Sequence, residues 1–207
     1  MTLLVGLTGN IASGKSSVAR LLEAHGATLI DADDLARRAV AVGTPGYARI
    51  VARWGDHVLG PDGALDRGAL RRRVFADQEQ LEALNRIVHP EVERMRDALV
   101  ADARERGDRV VVCDIPLLFE KRLTERFDRI VLVDAPRPVR LERLVPARGL
   151  RKDEAMAMIA SQMPAELKRA RADFVIDNTG SLAELERRVA EVWGALEAEA
   201  ERAEAMR

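Results

Sequence analysis

The residues best placed by type and spacing to do chemistry lie near the start of the chain, in GNIASGKS. Gly9, Gly14, Lys15 and Ser16 satisfy the spacing G-x-x-x-x-G-K-[ST] there. That pattern is a phosphate cradle. Gly9 and Gly14 let the backbone bend closely around phosphate oxygens, Lys15 supplies a point charge for the outer phosphates, and the Ser16 hydroxyl is placed to ligand Mg²⁺. Asn10, Ile11, Ala12, Ser13 and Ser17 complete the nucleotide-binding set. The Ala12 methyl group is tolerable if that residue keeps negative φ.

The motif needs a strand before it and a helix after it, and both patterns are present. LLVGL at 3–7 is a short apolar run like a buried parallel strand. Val18, Leu21, Leu22 and His25 then recur at helical spacing before Gly26. The first N–H groups of such a helix lack internal partners and face the loop with the positive end of the helix dipole, so an anion belongs there.

A bound nucleotide can be hydrolysed as a switch, hydrolysed for mechanical work, or used as a phosphoryl donor. No N-K-x-D segment exists to read guanine, since Asn10, Asn85 and Asn178 are not followed by lysine. The pattern therefore favours a donor, and a kinase needs a carboxylate near the acceptor hydroxyl, cations around the transferring group, and a cover against water. IDADDLARRA offers Asp31 and Asp33, which share one side if the strand continues, and Asp34, which points away or caps the next helix; all three acids acting as caps is the competing reading. Arg137, Arg140, Arg143 and Arg148 supply cations. Arg140 and Arg143, three apart, share a helix face and are expected to meet phosphate oxygens together. Asp114, closing VVVCD, is placed to bind Mg²⁺ through water, with strand-end capping as the alternative.

The elements that must hold these residues alternate. Five runs read as strands: 3–7, 27–31, 109–115, 129–135 and 173–178. Helical pattern separates them, which predicts a parallel sheet covered on both faces and an α/β core. Two helical excursions interrupt it. The first carries Tyr47, Ile50, Val51 and Trp54 on one helical face, a turn at LGPDGAL, and a helix opened by an Asp77–Gln80 capping box. That helix turns Leu81, Leu84, Ile87 and Val88 inward until Pro90 breaks or restarts it. The second, from Pro136 to Pro164, is rich in arginine, and Ser181 with Glu184 reads as a capping box for the final helix.

Composition narrows the partners. The 207 residues carry 33 Lys+Arg against 34 Asp+Glu, a formal charge of -1, so no basic field recruits nucleic acid. The single cysteine, Cys113, lies in an apolar run and fits a reducing compartment. No signal-peptide pattern or membrane-length apolar run is present, and a cytoplasmic protein without membrane partners is expected.

The segments GLTGNIASGKSSVA, IDADDLAR, LDRGALRRRVFAD, IVHPEV, IPLLFE, IASQMP and ADFVIDNTGSLAELE resemble, in this order over nearly the whole chain, the dephospho-coenzyme A kinase family. The resemblance implies ATP-dependent, Mg²⁺-supported phosphorylation of the ribose 3′-hydroxyl of dephospho-coenzyme A, the final step of coenzyme A biosynthesis. It also implies a P-loop core at 1–31, 107–136 and 166–207, a helical acceptor-binding domain at 32–106 and a lid at 137–165, in a monomer or weak homo-oligomer. Asp33 would then be the catalytic base, Lys15 and Ser16 the γ-phosphate and Mg²⁺ groups, and Arg143 the lid arginine. Arg72, His89 and Pro90 would lie at the acceptor, and Asn178 and Gly180 near adenine. In three places the chain departs from the family: Asn10 and Ala12 replace glycines of its usual loop, Arg140 stands where glutamine is frequent, and Arg148 follows Arg143 by five residues where four is usual. Two rivals are a P-loop kinase of another small acceptor and a non-catalytic ATP-binding protein.

Overall fold

The five apolar runs become five strands, the central ones apolar because a strand covered on both faces buries nearly all its side chains. In a computed structural model, which describes residues 2–75 and 77–206 without the side chain of Phe75, they are β1 (Leu3–Gly9), β2 (Thr28–Asp31), β3 (Val110–Asp114), β4 (Arg129–Asp134) and β5 (Phe174–Asp177). Their order in one parallel sheet is β2-β3-β1-β4-β5. Central β1 runs from Leu3 opposite Val110 to Leu7 opposite Asp114 on one side, and from Val5 opposite Arg129 to Gly9 opposite Val133 on the other. This register brings the ends of β1, β3 and β4 to one edge, where ligands of open α/β sheets collect. The expected fold class, an α/β five-stranded parallel sheet, is the one observed.

The chain separates into two compact units, Met1–Ile30 with Asp102–Arg207, and Asp31–Ala101. In the first unit, α1 (Lys15–Ala24) and α9 (Leu182–Ala205) supply Val18, Leu22, Leu185, Val189, Trp193 and Leu196 to a core with Val5, Leu7, Val131, Val133 and Ile176 from the sheet. Each fully buried branched or aromatic side chain of this kind contributes about 1.5–3 kcal/mol. The capping box at the start of α9 forms: Ser181 Oγ accepts from Glu184 N–H at 3.3 Å while Ser181 N–H donates to Glu184 Oε2 at 2.7 Å. Between β4 and β5 lie α6 (Arg137–Arg148), α7 (Lys152–Ala160) and the short α8 (Ala165–Arg169). Leu144, Ala155 and Ile159 form a small apolar cluster of their own, against which Ile11 and Ala12 pack. Arg169 ties α8 to the sheet through Asp134 at 2.9 Å and Asp177 at 2.5 Å. Those two carboxylates, Asp177 foremost, hold its guanidinium above the ordinary arginine range.

The second unit holds α2 (Ala32–Arg38), α3 (Pro45–Trp54), α4 (Arg67–Phe75) and most of α5 (Gln78–Arg106), whose last residues belong to the first unit. Its core gathers Ile50, Trp54, Val58, Leu70, Val74 and Ala83, with Leu81, Leu84 and Ile87 packed against them.

Three expectations fail here. α5 runs through Pro90 without a break; a proline costs its helix one hydrogen bond and a steric contact, and in 29 residues of helix with a packed apolar face the remaining bonds carry it. The Asp77–Gln80 box forms only in its first half: Asp77 Oδ1 accepts from Glu79 N–H at 2.8 Å and from Gln80 N–H at 3.4 Å, but the Gln80 carboxamide oxygen accepts from the Trp54 indole N–H at 2.9 Å. Finally, β2 stops at Asp31, so Asp31 and Asp33 are not alternate residues of one strand. Asp31 is the cap of α2, accepting from Asp33 N–H at 2.7 Å and Asp34 N–H at 3.0 Å. Asp34 instead faces Arg37 at 3.5 Å and Arg38 at 3.9 Å on its own helix.

Candidate active site

Strand β1 ends at Gly9 and α1 begins at Lys15, so residues 10–14 form the turn between sheet and helix. The Ser13 N–H donates to Asn10 O at 3.0 Å and closes the loop on itself. Gly14 precedes α1 with φ 92°. A β-carbon there would fall 2.0 Å from Asn178 Nδ2, and one on Gly9 would fall 2.5 Å from Ser13 Oγ. Both glycines are therefore required by close approach, and Gly14 also by conformation. Gly14→Ala is expected to lower stability by about 2–3 kcal/mol, combining left-handed strain with a displaced hydrogen bond. Thermal unfolding checks this, with a fall in Tm of roughly 5–10 °C for a chain of this size.

Ala12 contradicts its expectation. Its φ is 60°, the left-handed region, where alanine costs about 1–2 kcal/mol. Its methyl group packs with Ile11 against the Leu144–Ala155–Ile159 cluster, and that contact offsets the strain.

Lys15, first residue of α1, ion-pairs through Nζ with Asp114 Oδ1 at the end of β3. The β1–β3 register, with Leu7 opposite Asp114, sets the two ends side by side. Ser16 is exposed in the first turn of α1, whose leading N–H groups have no intrahelical acceptor. An electropositive helix start, an ammonium, a hydroxyl and a carboxylate thus share one edge of the sheet.

Arg143 and Asn178 brace the loop from its far side. Asn178 is buried, and its Nδ2 donates to Ser13 O at 2.8 Å, while Arg143 Nη2 donates to Asn178 O at 3.0 Å. Arg143 Nη1 also reaches Ser13 O at 3.5 Å. The Asn178 carboxamide nitrogen thus holds the loop. Gly180 lies under the carboxylate of Glu184, where a β-carbon would meet Oε2 at 2.0 Å.

Arg143 meets the loop backbone, while Arg140 turns its Nε to a strand-end carbonyl and leaves its buried Nη1 without a hydrogen-bond partner in the protein. Arg140 is 5 % exposed, and its Nε donates to Ala135 O at 2.9 Å. Burial lowers its pKa, Asp134 opposing the shift. The first turn of α6 starts directly off β4, so the guanidinium satisfies the strand-end carbonyl. It lines a cavity of about 300 Å³ with Asn10, Asp134, Gln162 and Met163. Arg148 is exposed at the end of α6.

In the second unit Asp33 occupies the first turn of α2 with an exposed side chain. Arg72 lines a surface depression of about 310 Å³ with Trp54, His57 and Arg73. His89 and Pro90 line another, of about 400 Å³, with Glu82, Asn85 and Arg86. Arg72 and the His89–Pro90 pair thus line two different depressions.

Sequence reasoning missed three residues that meet the loop or back it: Gln162, Glu120 and Lys168. Gln162 Oε1 accepts the Ile11 N–H at 2.7 Å, and fully buried Lys168 pairs with Glu120 at 2.7 Å. Gln162 and Glu120 stood in IASQMP and IPLLFE, but a polar residue in a motif gives no sign of its partner.

No helix among the described residues is long and apolar enough to cross a membrane. The family model described as dephospho-CoA kinase matches residues 3–184. The chain is 50% identical over 195 residues to the dephospho-CoA kinase of Thermobifida fusca, covering 94% of this chain and 96% of that one. Among solved structures, TT1252 from Thermus thermophilus superposes with a TM-score of 0.80 at 42% identity, over 94% of this chain and 98% of the other. A dephospho-CoA kinase from Campylobacter jejuni shares the fold with a TM-score of 0.74 at 24% identity, over 96% of this chain and 99% of the other.

Proposed function

The chain belongs to the dephospho-CoA kinase family, and from that premise we propose how its residues divide the transfer of a phosphoryl group from ATP to dephospho-CoA. The observation that carries the reading is the loop at 9–16, rigidly braced, with Lys15 held at the strand-end carboxylate of Asp114. The β- and γ-phosphates of ATP sit at the start of α1, taking its free N–H groups. Lys15 leaves Asp114 for the outermost phosphate, and Arg143, already beside Ser13, neutralises charge as it builds on the transferring group. Asp33 accepts the proton of the ribose 3′-hydroxyl as that oxygen attacks phosphorus, and ADP departs.

Mg²⁺ suits the Ser16 hydroxyl and Asp114 carboxylate, hard oxygen donors at the sheet edge, and when bound it offsets the charge of the phosphates. Gly9, Asn10, Ile11, Ala12, Ser13, Gly14 and Ser17 shape the nucleotide site, with Asn178 and Gly180 toward adenine. Arg72, His89 and Pro90 recognise the acceptor within a domain at 32–106. The segment 137–165 is the lid that excludes water, because transfer to water wastes the nucleotide. The enzyme works in the cytoplasm as a monomer or weak homo-oligomer, without nucleic acid.

Incubated with Mg-ATP and dephospho-CoA, the protein is expected to convert the acceptor to a product heavier by one phosphoryl group, read by mass spectrometry. Adenylate and shikimate in its place are expected to remain unmodified. Phosphorylation of either control with dephospho-CoA untouched would reject the acceptor assignment.

A further inference from the structure

The loop that cradles phosphate is held at its apex by a residue outside the nucleotide-binding motif. The N–H of Ile11 donates to Gln162 Oε1 at 2.7 Å, a short bond for an amide pair. Next to it, Asn10, 5 % exposed, donates through Nδ2 to Met163 O at 3.5 Å. The segment carrying Gln162 and Met163 is itself fixed: Met163 N–H donates to Glu120 Oε1 at 3.2 Å. The same carboxylate oxygen pairs with Lys168 Nζ at 2.7 Å, and the Lys168 side chain has no exposure at all. An ion pair with one partner wholly buried is retained only where geometry compensates desolvation. Here it fixes the turn between α7 and α8.

Resting on the assignment of residues 9–16 as the phosphate loop, we infer that Gln162 is a positioning residue for ATP. It holds Ile11 in place before the nucleotide arrives, and the Glu120–Lys168 pair holds Gln162. The shape of the loop needs such a hold, because Ala12, next in sequence, sits at φ 60° where alanine does not rest unaided. A loop already ordered loses less freedom on binding, so the bond contributes to nucleotide affinity though Gln162 need not touch the nucleotide. The apolar packing of Ile11 and Ala12 against Leu144, Ala155 and Ile159 joins the same two segments independently. ATP affinity is thereby set partly by residues between β4 and β5.

Gln162→Met keeps length and removes the acceptor. ADP titrated calorimetrically into this variant is expected to bind about five- to tenfold more weakly than to wild type, the value of one hydrogen bond. KM for ATP should rise by the same factor, while KM for dephospho-CoA stays within twofold. In the nucleotide-free protein, amide exchange is expected to show Ile11 protected in wild type, exposed in Gln162→Met, and protected again in Gln162→Glu, which restores an acceptor. Should Gln162→Met fail to fold, Gln162→Asn, one methylene short, replaces it. A freely exchanging Ile11 amide in wild type, an unchanged ADP affinity in the variant, or a parallel rise of both KM values would each overturn the inference. Wild type failing to bind ADP at all would instead reject the phosphate-loop assignment on which it stands.

Discussion

Asp33→Asn is expected to lower kcat by about 10²- to 10⁴-fold, the usual value of a positioned general base, with ATP still bound at nearly the wild-type affinity. Asparagine has the shape of aspartate and no basic oxygen, so it keeps packing and removes proton acceptance. The structure makes this a clean change. Asp33 is exposed in the first turn of α2, and its hydrogen bond to the cap comes from its backbone N–H to Asp31, which the substitution leaves alone. The loss of negative charge near the helix start costs stability about 0.3–1 kcal/mol. Steady-state kinetics with dephospho-CoA, ADP calorimetry and thermal unfolding on one preparation separate the outcomes. Full turnover in this variant would end the role of Asp33 as base. A collapse in Tm would show that the acid serves α2 instead.

The central strands were legible in the sequence because a parallel strand buried on both faces is a continuous apolar run; the half-buried edge strands β2 and β5 were legible as shorter apolar runs between helical patterns, and each of the five had only a few residues of boundary error. The phosphate loop was legible because its motif came with its strand and helix. What failed were pairings between residues far apart in sequence. Gln80 looked like half of a capping box, but the Trp54 indole, 26 residues away, took its oxygen. Arg140 shared a helical face with Arg143 as the spacing required, yet its depth is set by the end of β4 and not by periodicity. Pro90 carries a local rule for breaking helices, and the packed face of α5 overrides it. Lys168 belongs to a residue type that is almost never buried without a partner, and nothing in AELKR names Glu120 as that partner. Ala12 shows the same limit from the other side. Alanine prefers negative φ, and contacts with α6 and α7, beyond any local window, prevail over that preference.

Lys15→Ala is expected to reduce kcat/KM for ATP by at least about 10³-fold, more than one oxyanion donor usually supplies, because a full charge near the transferring phosphate is lost and not one dipole. In the structure Lys15 faces Asp114, a residue 6 % exposed, so in the function proposed above the outer phosphates compete with that carboxylate for the same ammonium. Two consequences separate this arrangement from a merely structural ion pair. Lys15→Arg retains the charge but substitutes a broad planar fork for a compact ammonium. It is expected to recover stability without recovering transfer, staying below about one hundredth of wild-type turnover. Asp114→Asn frees the ammonium at the cost of a candidate Mg²⁺ oxygen, so ADP measured without magnesium should bind at least as tightly as to wild type, while magnesium-supported transfer falls. Were the pair only a strand-to-helix staple, Lys15→Arg would restore turnover along with Tm, and Asp114→Asn would weaken ADP binding with and without the metal alike. One ammonium can serve both the strand-end carboxylate and the phosphate only if the two lie within its reach, and the end of β3 beside the start of α1 supplies that geometry.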